Sequence, residues 1–72
     1  MIDRITKFHS ELEKGESVKI ITALDNYTTY LNRTDVIKPD PVDGVLEIYR
    51  ANGAKVALNV DFVVSICVVV GL

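Results

Sequence analysis

The sequence predicts a mostly β (α+β) fold: a short N-terminal helix over residues 1–15, then a strongly bent antiparallel sheet of about five strands over residues 16–72, all in one domain. Three observations carry this. Apolar residues recur at helical spacing only in the opening stretch. From Ser17 onward β-branched and aromatic residues dominate, punctuated by Asp, Asn, Pro and Gly. With 72 residues there is room for a single core, because a chain this short buries roughly 60% of the surface it exposes when unfolded.

The helix rests on Ile2, Ile5, Phe8 or His9, and Leu12, with Asp3, Arg4, Lys7, Glu11 and Glu13 on the other side. Lys14 suits the negative end of its dipole, and Gly15 is placed to adopt the left-handed conformation that ends a helix. A helix of this length is barely stable alone, so its stripe must dock on the sheet.

Two strands follow in "SVKIITAL" and "YTTYLNRTDVI", joined as a hairpin by Asp25-Asn26. "KPDPVDG" reads as the longest loop, since Pro39 and Pro41 lack the amide hydrogens a central strand needs and Gly44 marks a turn. In "VLEIYRANGAKVALNV" a two-residue Asn52-Gly53 loop would set Glu47 opposite Leu58 and mix polar with apolar on both faces. A three-residue loop, Ala51-Asn52-Gly53, with Gly53 at positive φ, sets Ile48 against Val56 and Leu46 against Leu58. Glu47, Tyr49, Lys55 and Ala57 then share the other face, and the hydrophobic effect selects this register.

The last strand lies in "DFVVSICVVVGL". Its even positions, Phe62, Val64, Ile66, Val68 and Val70, are expected to fill the interior of the bent sheet. Its odd positions, Val63, Ser65, Cys67 and Val69, are smaller and are expected to lie under the helix or under a second subunit, with Cys67 buried as a packing residue. The run after Asp61 has eleven residues, against the roughly 20 of a membrane helix, so no anchor is read here. The strands together fit a small SH3-like or Sm-like barrel.

Composition limits the function. Eight Lys and Arg against ten Asp and Glu give a net charge of −2, with no clustered basic patch for a phosphate backbone. The opening residues are charged throughout and lack the apolar stretch of a signal peptide, so a cytoplasmic protein is expected. One cysteine forms no internal disulfide, and Cys67 with His9 makes no zinc set. His9 lies four residues before Glu13 but has no nucleophile or second acid near it in sequence. Asp35, Asp40 and Asp43 do not match a calcium loop. No catalytic, cofactor-binding or metal site is assigned.

Two interaction surfaces remain. Val63, Ser65, Cys67 and Val69 are the candidate interface of a homo-oligomer, or of a complex with a larger protein. Tyr27, Tyr30 and Arg33 are a candidate ligand face, since aromatic rings beside a guanidinium can stack unpaired RNA bases. The expected function is thus a non-enzymatic protein-interaction or self-association module, with single-stranded nucleic-acid binding as the alternative and no membrane partner.

The layout, a helix and then five strands in a chain this short, is similar to that of the Sm-like ring proteins, which include bacterial RNA chaperones. The family's motifs are not matched: "SVKIITALDNYTTYL" lacks the glycine of the first bent strand, and "KVALNVDFVVSI" lacks the charged-glycine pair of the last motif. No binding residue is carried over.

Overall fold

A computed structural model describes residues 1–23 and 28–70. The elements are helix α1 (Ile2–Ser10), strands β1 (Glu16–Thr22), β2 (Thr28–Asn32), β3 (Val36–Asp40), β4 (Val45–Tyr49) and β5 (Lys55–Asn59), a 3-10 turn (Val60–Phe62), and β6 (Val63–Val70). They form two antiparallel three-stranded sheets, ordered β2-β1-β6 and β3-β4-β5.

The helix is shorter than its apolar spacing implies. Ser10 turns its hydroxyl back onto the Lys7 carbonyl at 2.8 Å, a local bond that competes with helix continuation, and Glu11 closes the element. Gly15, at φ +86°, serves instead in the turn that enters β1, where the Glu16 amide donates to the Glu13 carbonyl at 3.0 Å and the Glu16 carboxylate accepts from the Glu13 amide at 2.8 Å. The docked stripe is nevertheless the expected one: Ile5 is fully buried, Ile2 and Phe8 pack beside it, and Leu12 joins the core from beyond the helix end.

The second expected strand is broken in two. At Asn32–Asp35 the Asp35 amide donates to the Asn32 carbonyl at 3.1 Å, while the Asn32 amide donates to the Asp35 carboxylate at 2.7 Å. This reciprocal turn sends the chain from one sheet to the other, so β2 pairs with β1 and β3 pairs with β4. The expected proline loop therefore shrinks. Lys38, Pro39 and Asp40 lie in β3, opposite Glu47, Leu46 and Val45, and Pro39 is tolerated because β3 is an edge strand. The Asp25-Asn26 hairpin turn lies outside the described residues.

The β4–β5 hairpin has the three-residue loop. Leu46 faces Leu58, Ile48 faces Val56, and Gly53 sits at φ +91°. A Cβ at Gly53 would meet nothing within 4 Å, so Gly53→Val tests backbone strain alone. We expect a loss of about 1–2 kcal/mol, read by thermal melting; an unchanged melting temperature would contradict the bulged turn.

The inner faces of the two sheets meet in one core. Val18, Ile20 and Leu31 come from the first sheet and Leu46, Ile48 and Leu58 from the second, with Ile5, Leu12 and Val60 closing the ends. Each such side chain contributes roughly 1.5–3 kcal/mol by leaving water. Arg50, just past β4, ties the sheets together: its guanidinium donates to the Tyr30 carbonyl of β2 at 2.6 Å and pairs with the buried Asp35 carboxylate.

Candidate interaction surfaces

Strand β6 is positioned by the turn before it. The Asn59 side chain accepts from the Asp61 amide at 3.0 Å, and the Val60 amide donates to the Gly44 carbonyl at 2.9 Å, which seats Val60 in the core. The Phe62 carbonyl then accepts from the Ala23 amide at 2.8 Å and brings the chain alongside β1. From there β6 pairs antiparallel with β1, Ile66 opposite Ile20 and Val68 opposite Val18, with a register shift at Ile21/Thr22.

On its other side β6 pairs with no described strand, and its side chains are far more open than the sequence implies. The even positions do not fill an interior. Ile66 packs against the core, but Phe62, Val64, Val68 and Val70 are 40%, 63%, 43% and 73% exposed. Among the odd positions Val63 and Val69 are half-buried, whereas Ser65 and Cys67 are exposed, so Cys67 is not the buried packing cysteine expected.

The helix does not cover this strand, for a geometric reason. Its nine residues span about 13 Å. It packs chiefly on β1, and near its C-terminal end the His9 ring donates from Nε2 to the Asn32 carbonyl at the end of β2, at 3.1 Å. What remains around β6 is an uncharged apolar edge, and Val64, Val68 and Val70 belong to it although sequence reasoning had assigned them to the interior.

Two of the three residues of the candidate ligand face lie together. Tyr30 and Arg33 line one open cleft of about 510 Å³, together with Lys14, Glu16, Ser17 and Asn32. Its floor is polar and satisfied, since the Ser17 hydroxyl donates to the Asn32 side-chain oxygen at 2.8 Å. Lys14 was not anticipated here; the turn at Gly15 brings it beside β2, and no local pattern reports that approach. Tyr27 lies outside the described residues.

Tyr49 belongs to a different surface, the outer face of the second sheet. Lys38 and Lys55 stand 5.3 and 5.4 Å from its ring centroid, Lys55 pairs with Glu47 at 2.7 Å, and the Tyr49 hydroxyl reaches Glu47 at 3.4 Å. The Lys55 hydrogen bond is the main reason the Glu47 carboxyl lies below its ordinary 4.5, and Glu47 in turn holds Lys55 above 10.5. The stabilisation from this pair is therefore lost as pH falls below 4.5, where Glu47 protonates, and as it rises beyond 10.5, where Lys55 deprotonates. Lys55 is exposed and Glu47 only half-buried, so this is a surface tie.

Among the described residues no group of three or more His, Cys, Asp or Glu side chains converges on a point that could hold a metal ion. Asp35 is engaged by Arg50, and Asp40 accepts from the Asp43 amide at 3.3 Å. No helix among the described residues is long and apolar enough to cross a membrane. No protein-family model, no curated protein and no solved structure matches this chain significantly.

Proposed function

We propose that this chain is a non-enzymatic interaction module of the cytoplasm that self-associates, or docks on a larger protein, through the edge of β6, on a small barrel-like frame of the SH3 or Sm type. The observation that carries the reading is the open side of β6: eight consecutive strand residues without a formal charge, three of them large valines standing in solvent. Such an edge is an aggregation hazard in a lone monomer and a contact in an assembly, and monomeric proteins ordinarily blunt it with charge, proline or a covering segment. A homo-oligomer is the first form expected. Val63, Ser65, Cys67 and Val69 contribute the small-residue face of its contact.

The test is mass in solution. Light scattering coupled to size-exclusion chromatography at micromolar concentration should give a multiple of the 8.0 kDa chain, and a species at 8.0 kDa would overturn self-association.

A second reading, single-stranded RNA binding, is favoured by one observation: Tyr30, Arg33 and Lys14 line a common cleft, together with Glu16, so that an aromatic ring and two cations are available to one ligand. It would show as the capture of a labelled oligonucleotide at low salt, released as salt rises. No capture at low salt would remove it.

A further inference from the structure

We infer that the partner of β6 is β6 of a second copy, paired antiparallel about a two-fold axis to give a continuous sheet ordered β2-β1-β6-β6-β1-β2. This rests on the self-association reading and names its geometry. Among the described strands the two three-stranded sheets have four outer members, β2, β3, β5 and β6, and the first three are poor partners for an eight-residue apolar edge.

Strand β3 carries Pro39 between Lys38 and Asp40, which removes a donor and places charge on both sides. Strand β2 has five residues, is polar at Thr28 and Asn32, and ends in the reciprocal turn to Asp35. Strand β5 also has five residues. It starts at Lys55, held by Glu47, and ends at Asn59, whose side chain is committed to the 3-10 turn. A head-to-tail contact of β6 on β5 would leave part of β6 unpaired and set a lysine against valines. Only β6 matches β6 in length, in apolar character and in lack of charge.

Symmetry then restricts the register. A two-fold axis perpendicular to the sheet keeps each side chain and its copy on the same face, so even positions must oppose even positions and odd oppose odd. Two registers satisfy this with near-complete overlap. One is centred on Ile66, with Val64 opposite Val68 and Ser65 opposite Cys67. The other is centred on Cys67, with Val64 opposite Val70 and Ile66 opposite Val68. In both, the exposed valines extend the row begun by Val18 and Ile20 across the axis, and the small odd residues meet on the outer face.

Cys67 reports on this without any substitution. It is the chain's one cysteine and it is exposed. In either register the two copies of Cys67 are direct or diagonal cross-strand neighbours, within the roughly 8 Å reach of a short bis-maleimide. In a head-to-tail assembly they are a protomer width apart, in a molecule 30 × 22 × 21 Å. Treating the native chain with the reagent, beside a measurement of its mass, should convert most of it to a covalent dimer on a denaturing gel, with the product lost when the reaction is run in urea. An oligomer whose Cys67 residues stay unlinked overturns β6-on-β6 pairing and leaves self-association standing. A monomer overturns both.

Discussion

Asp35→Ala is expected to lower the stability of the fold by about 3 kcal/mol, the cost of breaking a buried ion pair from one side. The Asp35 side chain is only 2% exposed and its carboxylate accepts from both the Arg50 guanidinium and the Asn32 amide. Removing it strands a cation and opens the turn that passes the chain between sheets. Arg50 is 21% exposed and keeps its bond to Tyr30, which holds the loss at the lower end of the range for such pairs. A domain of this size has only about 4–11 kcal/mol in total, so the variant should melt some 12 °C or more below the parent. Asp35→Asn, which keeps an acceptor, should lose less. A urea titration showing a change under about 1 kcal/mol for Asp35→Ala would mean that the two sheets do not depend on this pair.

Val68→Lys is expected to weaken self-association by about a hundredfold, close to 3 kcal/mol, while leaving the protomer folded. Val68 stands on the open side of β6 at 43% exposure, so in a free protomer a lysine can lead its ammonium into water past the sheet edge. Once a second copy covers that edge, the ammonium is enclosed among valines without a partner, and the two-fold places two such charges in one contact. Natural edge strands use inward-pointing charge to prevent pairing of this kind. Sedimentation or light scattering across a dilution series reads the effect, with circular dichroism as the control for the fold. A variant that associates as tightly as the parent would remove β6 from the interface.

The features read correctly from the sequence are those in which short-range chemistry and face alternation agree. The β4–β5 register follows from loop residues that admit only certain backbone conformations and from the gain in placing Leu46, Ile48, Val56 and Leu58 on one face, both of which are local. The helical stripe of Ile2, Ile5 and Phe8 is visible for the same reason. The helix end was placed too late because it turns on side-chain and cap bonds at Ser10 and Glu11 that apolar spacing does not report, and the division of "YTTYLNRTDVI" was missed because it turns on the reciprocal bonds between Asn32 and Asp35, the latter also held by Arg50 fifteen residues away. Of the interaction surfaces, β6 stood out in the sequence by its lack of charge, while the joining of Lys14 to Tyr30 and Arg33 did not.

What the sequence by itself determined is that the chain begins with a short amphipathic helix, continues as antiparallel strands with a pinned hairpin, and closes on an apolar uncharged strand. These are properties of residues and their neighbours, set by backbone preference and by hydrophobic period. What only the tertiary structure decided is which of those apolar residues are covered. Ile66 and Val68 read alike in the sequence, yet one packs on the core and the other faces water, because burial depends on what lies across from a strand and beside it. A nine-residue helix packed chiefly on β1 and bonded through His9 to the end of β2 is too short to cover the whole sheet, and among the described residues the outer side of β6 has no strand partner.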